Sequence, residues 1–228
     1  MKFAIDTGTA RTVIDSRVAR ALALPRSRLS LEAFGTRAEA DAVTLHTLSI
    51  GSISVKRLQV LVQDLEAQQQ RFGLRLDGLV GVDVLRGQCV TIDYHAKRLA
   101  VGCHTGWRQQ TSFTPPLPLV EIRIDGNPYR LIADTGSEAI VLFAESVPPG
   151  VTITPDLEVE GRDLLGIRLL KRFTPRSFLV GRYAIGPPPV FLMSGSCARC
   201  GYDGVLGTRW LPGEKVYFDF RDGHMGWN

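Results

Sequence analysis

The sequence predicts an all-β chain with minor helix, divided into two lobes. Three observations carry that reading: a long internal repeat, apolar stretches of strand length separated by turn residues, and enough hydrophobic side chains (44%) to build a core without cysteine staples.

The repeat sets the frame. Leu76-Asp-Gly-Leu-Val-Gly-Val-Asp-Val-Leu-Arg-Gly87 returns 126 residues later as Tyr202-Asp-Gly-Val-Leu-Gly-Thr-Arg-Trp-Leu-Pro-Gly213. Val90-Thr-Ile-Asp93 returns at the same offset as Val216-Tyr-Phe-Asp219. Upstream, Phe3-Ala-Ile-Asp-Thr-Gly8 returns 128 residues later as Leu131-Ile-Ala-Asp-Thr-Gly136. Two copies, each about half the chain, predict two lobes rather than a solenoid. The expected division is residues 1–105, a linker at 106–116, and residues 117–228. The linker falls where Gly106, Gln109, Gln110, Ser112 and Pro115-Pro116 break the hydrophobic pattern.

From the N-terminus, the apolar lead-in Phe3-Ala-Ile5 reads as a strand that delivers Asp6. Residues 16–24 and 82–85 read as short helices. Residues 44–62 have the pattern of a hairpin punctuated by Gly51-Ser52, and residues 90–101 that of a second, turning around His95-Ala96. Cys89 and Cys103 are equidistant from Ala96, so they are expected to face each other and to bond in an oxidising compartment. Residues 117–133 read as a third hairpin: Val120, Ile122 and Ile124 alternate up to the turn Asp125-Gly126-Asn127-Pro128. Cys197-Ala-Arg-Cys200 is expected to be a local disulfide or two thiols, because a structural zinc wants four ligands and the other cysteines lie in the other half.

Composition narrows the function classes. Lys+Arg 27 against Asp+Glu 23 gives a net charge of +4, scattered rather than blocked. The densest basic stretch, residues 168–176, lies among aliphatic residues, which argues against a nucleic-acid surface. No apolar run approaches the ~20 residues of a membrane-spanning helix, and residues 1–6 do not read as a secretory signal. The four histidines are dispersed, with no His-Glu-x-x-His. A Gly-x-Ser-x-Gly elbow and a phosphate loop are also missing, so serine, cysteine and metal hydrolysis lack their minimal parts.

The chemistry lies in Asp6-Thr7-Gly8-Thr9 and Asp134-Thr135-Gly136-Ser137. Each places a carboxylate at the end of an apolar strand, followed by a hydroxyl residue and a glycine whose turn lets backbone N–H groups approach the carboxylate. One such Asp buried alone is costly. Two brought together can share one proton, because like charges a few Å apart cannot both ionise. A general base and a general acid then coexist without metal or covalent nucleophile. The bland alternative, two turn aspartates, leaves the matched downstream glycines unexplained. Asp77 and Asp203, each before a glycine, read as structural turn residues, and Asp93 and Asp219 as hairpin caps.

These paired motifs, each followed by hydrophobic–hydrophobic–Gly (Leu79-Val80-Gly81 and Val205-Leu206-Gly207), resemble the pepsin/retropepsin aspartic proteases, in a bacterial single-chain form with two retropepsin-like halves. The resemblance implies a bilobal pepsin-like acid protease fold, two pseudo-twofold-related β-barrel lobes with short helices. It implies a catalytic pair, Asp6 and Asp134, holding the attacking water, with no metal and no cofactor. Thr7 and Thr135 would lock the motifs together, Gly8 and Gly136 would supply N–H donors, and Thr9 and Ser137 would offer hydroxyls to the outer carboxylate oxygens. Such hydroxyls lower a carboxyl pKa, so an acidic optimum is expected. Phe34, Gly35 and Thr36 would form the flap, with residues 161–166 as counterpart; pepsins carry a flap tyrosine, and none occurs before Tyr94.

The implied activity is endopeptidase cleavage of an extended peptide or protein substrate by a monomer. The alternative is a non-catalytic peptide-binding pseudoprotease with an incomplete N-terminal lobe. That alternative arises at the front end, where 17 residues (117–133) precede Asp134 and build a hairpin while five precede Asp6. Residues 2–5 are therefore expected to lack a neighbour on one side, as an incomplete N-terminus would leave them.

Overall fold

The computed structural model describes residues 1–33, 36–107, 109–163, 166–194 and 201–228, with side chains at all of these except 31–33, 36–37, 71–72, 162–163 and 166–168. Strand dominates, with three short α-helices and two 3₁₀ turns among the described residues. No described helix is long and apolar enough to cross a membrane. The expected helices appear as Ser16–Leu22 and Val82–Leu85. The first is capped by Asp15, whose carboxylate accepts the Arg17 N–H, and ends at Ala23 in the left-handed conformation. A third helix, Glu66–Phe72, and the strand Arg26–Ala33 were not anticipated.

The duplication is visible in the topology. A six-stranded sheet runs in the order Phe3–Ile5, Gly78–Val80, Val13–Asp15, Ile53–Gln63, Thr36–Ile50, Arg26–Ala33. The second half repeats it as Asn127–Asp134, Gly204–Gly207, Ile140–Phe143, Val190–Met193, Gly166–Phe173, Leu157–Asp163. Every neighbour pair keeps its parallel or antiparallel sense between the copies. Neither array closes on itself among the described residues, so the expected barrels are open sheets instead. In both copies the edge farthest from the Asp-bearing strand is a hairpin arm that meets no further strand among the described residues.

The second array continues past Asn127–Asp134 into Leu119–Ile124 and then Gln109–Thr114. Leu119–Ile124 buries Val120, Ile122 and Ile124 completely or nearly so, which contributes roughly 1.5–3 kcal/mol per side chain. Gln109–Thr114 occupies most of the segment read as a linker, because it is recruited between Leu119–Val120 and His224–Trp227. The sheet then passes through Lys215–Asp219 to Cys89–Asp93 and Arg98–Val101. In it Thr91 pairs with Tyr217, which is its own counterpart in the repeat. An approximate twofold axis therefore passes between these two residues. Cys89 and Cys103 form the disulfide expected of them, while Cys197 and Cys200 lie outside the described residues.

Asp77 and Asp203 anchor the Asp-bearing strands. Asp77 accepts the Lys2 N–H at 2.8 Å while its own N–H donates to Lys2 O; Asp203 does the same with Arg130. Each partner lies four residues before the candidate catalytic Asp. The Lys2 N–H, with Arg17 alongside, holds the Asp77 carboxyl below the usual range. Its contribution to stability is thus present above that range and lost as pH falls through the lowered value. Asp77→Ala is expected to destabilise the fold by ~1–3 kcal/mol, read as a fall of about 2–4 °C per kcal/mol in a thermal melt. An unchanged melt would contradict the anchoring role.

Candidate active site

Each candidate carboxylate stands where a strand of its half stops. Asp6 follows Phe3–Ile5, and its N–H donates to Val80 O at 3.0 Å. Asp134 closes Asn127–Asp134, in register with Gly207. The glycines after the apolar pairs are required by close backbone packing. A Cβ on Gly81 would lie 2.6 Å from the Arg11 carbonyl carbon, and one on Gly207 would lie 2.7 Å from Ser137 O.

The two Asp-Thr-Gly loops meet head to head. Thr7, fully buried, bonds across the halves: its N–H donates to Thr135 Oγ1 at 3.1 Å, and its Oγ1 donates to Ala133 O at 2.7 Å. Reciprocally, the Thr135 N–H donates to Thr7 Oγ1 at 3.1 Å and Thr135 Oγ1 donates to Ile5 O at 2.7 Å. Four bonds of about 1 kcal/mol each therefore fix one loop against the other.

This interlock brings the acids together. The Gly8 N–H donates to Asp6 Oδ1 at 3.0 Å, and the Gly136 N–H to Asp134 Oδ1 at 2.7 Å. Each glycine also faces the carboxyl of the other half: a Cβ on Gly8 would lie 2.4 Å from Asp134 Cγ, and one on Gly136 would lie 2.8 Å from Asp6 Cγ. The two carboxyl groups are therefore close enough to act on each other, and a hydrogen bond between them needs one shared proton.

Burial pushes the Asp6 carboxyl well above the usual carboxylate range, and the charge and hydrogen bond of Asp134 push the same way, against backbone N–H groups of Gly8 and Thr9. Burial also raises Asp134. Opposing it are the Gly136 N–H, the Asp6 hydrogen bond and the N–H groups of Gly8 and Ser137. Both carboxyls are thus raised, Asp6 the further, and Asp134 is the one better held as an anion by hydrogen bonds. Thr9 and Ser137 reach the carboxylates through backbone N–H groups, whereas their hydroxyls donate to Arg11 O (3.1 Å) and Ala139 O (3.0 Å). The hydroxyl route to an acidic optimum is therefore replaced by a backbone one.

A raised folded-state pKa means that stability from Asp6 is full below the ordinary carboxylate range and is lost as pH rises through the raised value. Asp6→Asn removes the repulsion and keeps the shape. It is expected to stabilise the chain at pH 7 by ~1 kcal/mol, a rise of about 2–4 °C in Tm. The gain should shrink towards about pH 4. A Tm gain independent of pH would contradict the assignment.

Two further contributors escaped the sequence reading. Asp83 accepts the Thr12 N–H (2.9 Å) and the Thr12 Oγ1 hydrogen (2.7 Å), while Thr12 Oγ1 accepts the Gly81 N–H. This network ties the first loop to its downstream glycine. The repeat aligns Asp83 with Arg209, so comparing the copies hides it. Tyr94 hydrogen-bonds through its hydroxyl to Thr208, the buried residue after Gly207. Burial raises its pKa, the Thr208 bond opposes, and the charge of Asp134 adds to the rise. Of the expected flap, Phe34 and Gly35 lie outside the described residues, and Thr36 opens the strand Thr36–Ile50 opposite Ala33. In the counterpart, Asp163 pairs with Gly166 across residues 164 and 165, also outside the described residues.

Residues 1–84 match the family model described as aspartyl protease. The matched stretch contains the first Asp-Thr-Gly, its hydrophobic–hydrophobic–Gly partner and Asp83. No curated protein matches the chain. At the coarse level this match, over less than half of the chain, supports a protease, and hence a hydrolase.

Proposed function

We propose that this chain is an aspartic endopeptidase of two retropepsin-like halves in a bilobal, pepsin-like arrangement. Residues 1–105 supply Asp6, residues 117–228 supply Asp134, and residues 106–116 join them. The observation that supports the reading is the reciprocal Thr7–Thr135 interlock between the two loops that carry the partly buried Asp6 and Asp134. Both acids sit on one chain, so a monomer suffices.

In the mechanism, a water lies between the two acids with an extended peptide across them. Ionised Asp134 takes a proton from the water, whose oxygen forms a bond to the scissile carbonyl carbon. Protonated Asp6 gives its proton to the carbonyl oxygen, so the tetrahedral intermediate is a neutral diol. Asp134 then protonates the amide nitrogen, the C–N bond breaks, and one diol proton returns to Asp6. The site ends in its starting protonation state. Gly8 and Gly136 hold the carboxylates through N–H bonds, and Thr9 and Ser137 add theirs. Phe34, Gly35 and Thr36 would close over the substrate.

The test is hydrolysis of a mixed peptide library, monitored by mass spectrometry between pH 3 and 6. Cleavage by the intact chain, lost in Asp134→Asn, is the expected result. Inertness of the intact chain, or cleavage surviving in the variant, would overturn the reading.

A further inference from the structure

The twofold that relates the halves holds for the backbone around residue 94 and fails for the side chain. The Tyr94 N–H donates to Glu214 O at 2.8 Å, and the Phe220 N–H donates to Gln88 O at 2.9 Å. Tyr94 and Phe220 are counterparts in the repeat, and so are Gln88 and Glu214. The chemistry carried on this symmetric frame is one-sided. Tyr94 reaches from the first half into the second, with its hydroxyl 2.5 Å from Thr208 Oγ1. The counterparts of these two residues are Phe220 and Val82, neither of which has a hydroxyl. Phe220 packs instead against Phe113 and Phe218.

Thr208 stands behind the loop that carries Asp134. It follows Gly207, which is in register with Asp134 and lies so close to that loop that a Cβ would sit 2.7 Å from Ser137 O and 2.8 Å from Ala139 O. The Gly207 N–H donates to Ala139 O, and Trp210, at the end of the 3₁₀ turn that Thr208 opens, donates its Nε1–H to Glu138 O at 2.9 Å. Residues 207–210 thus brace residues 134–139, and Thr208 is buried within the brace. The charges that act on the Tyr94 phenol are those of Asp134 and of Arg209, and Arg209 is ion-paired with Glu138. The chain neighbours of Tyr94, Asp93 and His95, lie beside Lys215 and Glu214. Two hydroxyls joined by one hydrogen bond use one hydrogen and leave the other free. Near an ionised Asp134 the free hydrogen turns towards the negative charge and favours it.

We propose that Tyr94, acting through Thr208, is a positioning residue that holds Asp134 and favours it over Asp6 as the ionised member of the pair. The inference rests on the peptidase reading and deepens it, by naming what makes one acid the base. The Thr7–Thr135 interlock is reciprocal and treats both acids alike. The first loop is braced through Thr12 by the Asp83 carboxylate, a negative charge that does not favour ionised Asp6. The second is braced by neutral hydroxyls, one of them lent by the first half.

The experiment reads the carboxyls by carbon-13 NMR in two backgrounds. In Asp6→Asn, adding Tyr94→Phe should raise the titration of Asp134 by about half a pH unit. In Asp134→Asn, the same change should leave the titration of Asp6 in place. Thr208→Val should reproduce the shift, Thr208→Ser should not, and Tyr94→Phe with Thr208→Val should be no worse than either alone, because both remove one bond. In the otherwise intact chain, Tyr94→Phe should lower kcat about fivefold with KM little changed, and move the acid limb of the profile to higher pH. Should Thr208→Val fail to fold, as judged by circular dichroism, Tyr94→Phe and Thr208→Ser decide. An unmoved Asp134, an equal shift of Asp6, or losses in the two variants that add in full would overturn the proposal. A selective shift in a chain that cleaves no peptide would overturn the peptidase reading while supporting the hold of Tyr94 on Asp134.

Discussion

Asp134→Asn is expected to cut peptide hydrolysis by about 10²–10⁴-fold, the range for loss of a positioned general base. Asn fits the same space and can keep the Gly136 N–H bond, so the loss should fall on kcat, with KM little changed. Asp6→Asn should do equal damage, because the two acids act as a unit, and the double variant should be scarcely worse than either single one. Full additivity of the two losses would contradict a shared-proton site. The intact chain should show a bell-shaped profile. Its alkaline limb is set by proton loss from the pair, which the burial of Asp6 and the charge of Asp134 move above the ordinary carboxylate range. Its acid limb is also displaced upward, because burial raises Asp134.

The second large effect is expected at Gly8. Its added methyl in Gly8→Ala would lie 2.4 Å from both Cγ and Oδ2 of Asp134, a separation that forces the carboxyl or the loop to move. A displacement of about 1 Å at a reacting group costs roughly 10²-fold in rate. The same change in the other half, Gly136→Ala, meets Asp6 Cγ at 2.8 Å and should be milder. The asymmetry is the discriminating feature: each glycine guards the opposite carboxyl, so Gly8→Ala should disturb the titration of Asp134 more than that of Asp6. Undiminished activity in Gly8→Ala would mean that the carboxyls are not packed across the halves.

Much of this architecture was legible because it is written twice. The repeat predicted the matched strands, and the family resemblance implied the contact of Thr7 with Thr135, whereas the pairing of Thr91 with Tyr217 was not read. Turn chemistry located the hairpins at Gly51-Ser52 and Asp125-Gly126, where the chain does reverse between Thr36–Ile50 and Ile53–Gln63 and between Leu119–Ile124 and Asn127–Asp134. What escaped was whatever one copy has and the other lacks. Asp83 and Thr12 align with Arg209 and Ile140, so their network leaves no trace in a comparison of halves. Gln109–Thr114 is too polar to announce itself, and becomes a strand because two neighbouring strands offer it a place. The hydroxyls of Thr9 and Ser137 were assigned from the family resemblance, yet a hydroxyl adjacent to a turn finds a local carbonyl first, and the backbone N–H serves the carboxylate.

Among the described residues Phe3–Ile5 pairs on one side only, as the unequal lead-ins to the two acids led one to expect. The cavity beside it was not foreseeable, because it brings Leu48 together with the Ile92–Leu99 pair, more than 40 residues further along the chain.

The most direct measurement is a carbon-13 NMR titration of the aspartate carboxyls in the intact chain, with Asp6→Asn and Asp134→Asn supplying the assignments. Two carboxyls sharing one proton should titrate in linked steps, with Asp6 completing its ionisation above the ordinary range. Each variant should then return the surviving partner to a single, simple step. Independent titrations of residues 6 and 134, unaltered by removal of the other, would contradict the account at its root.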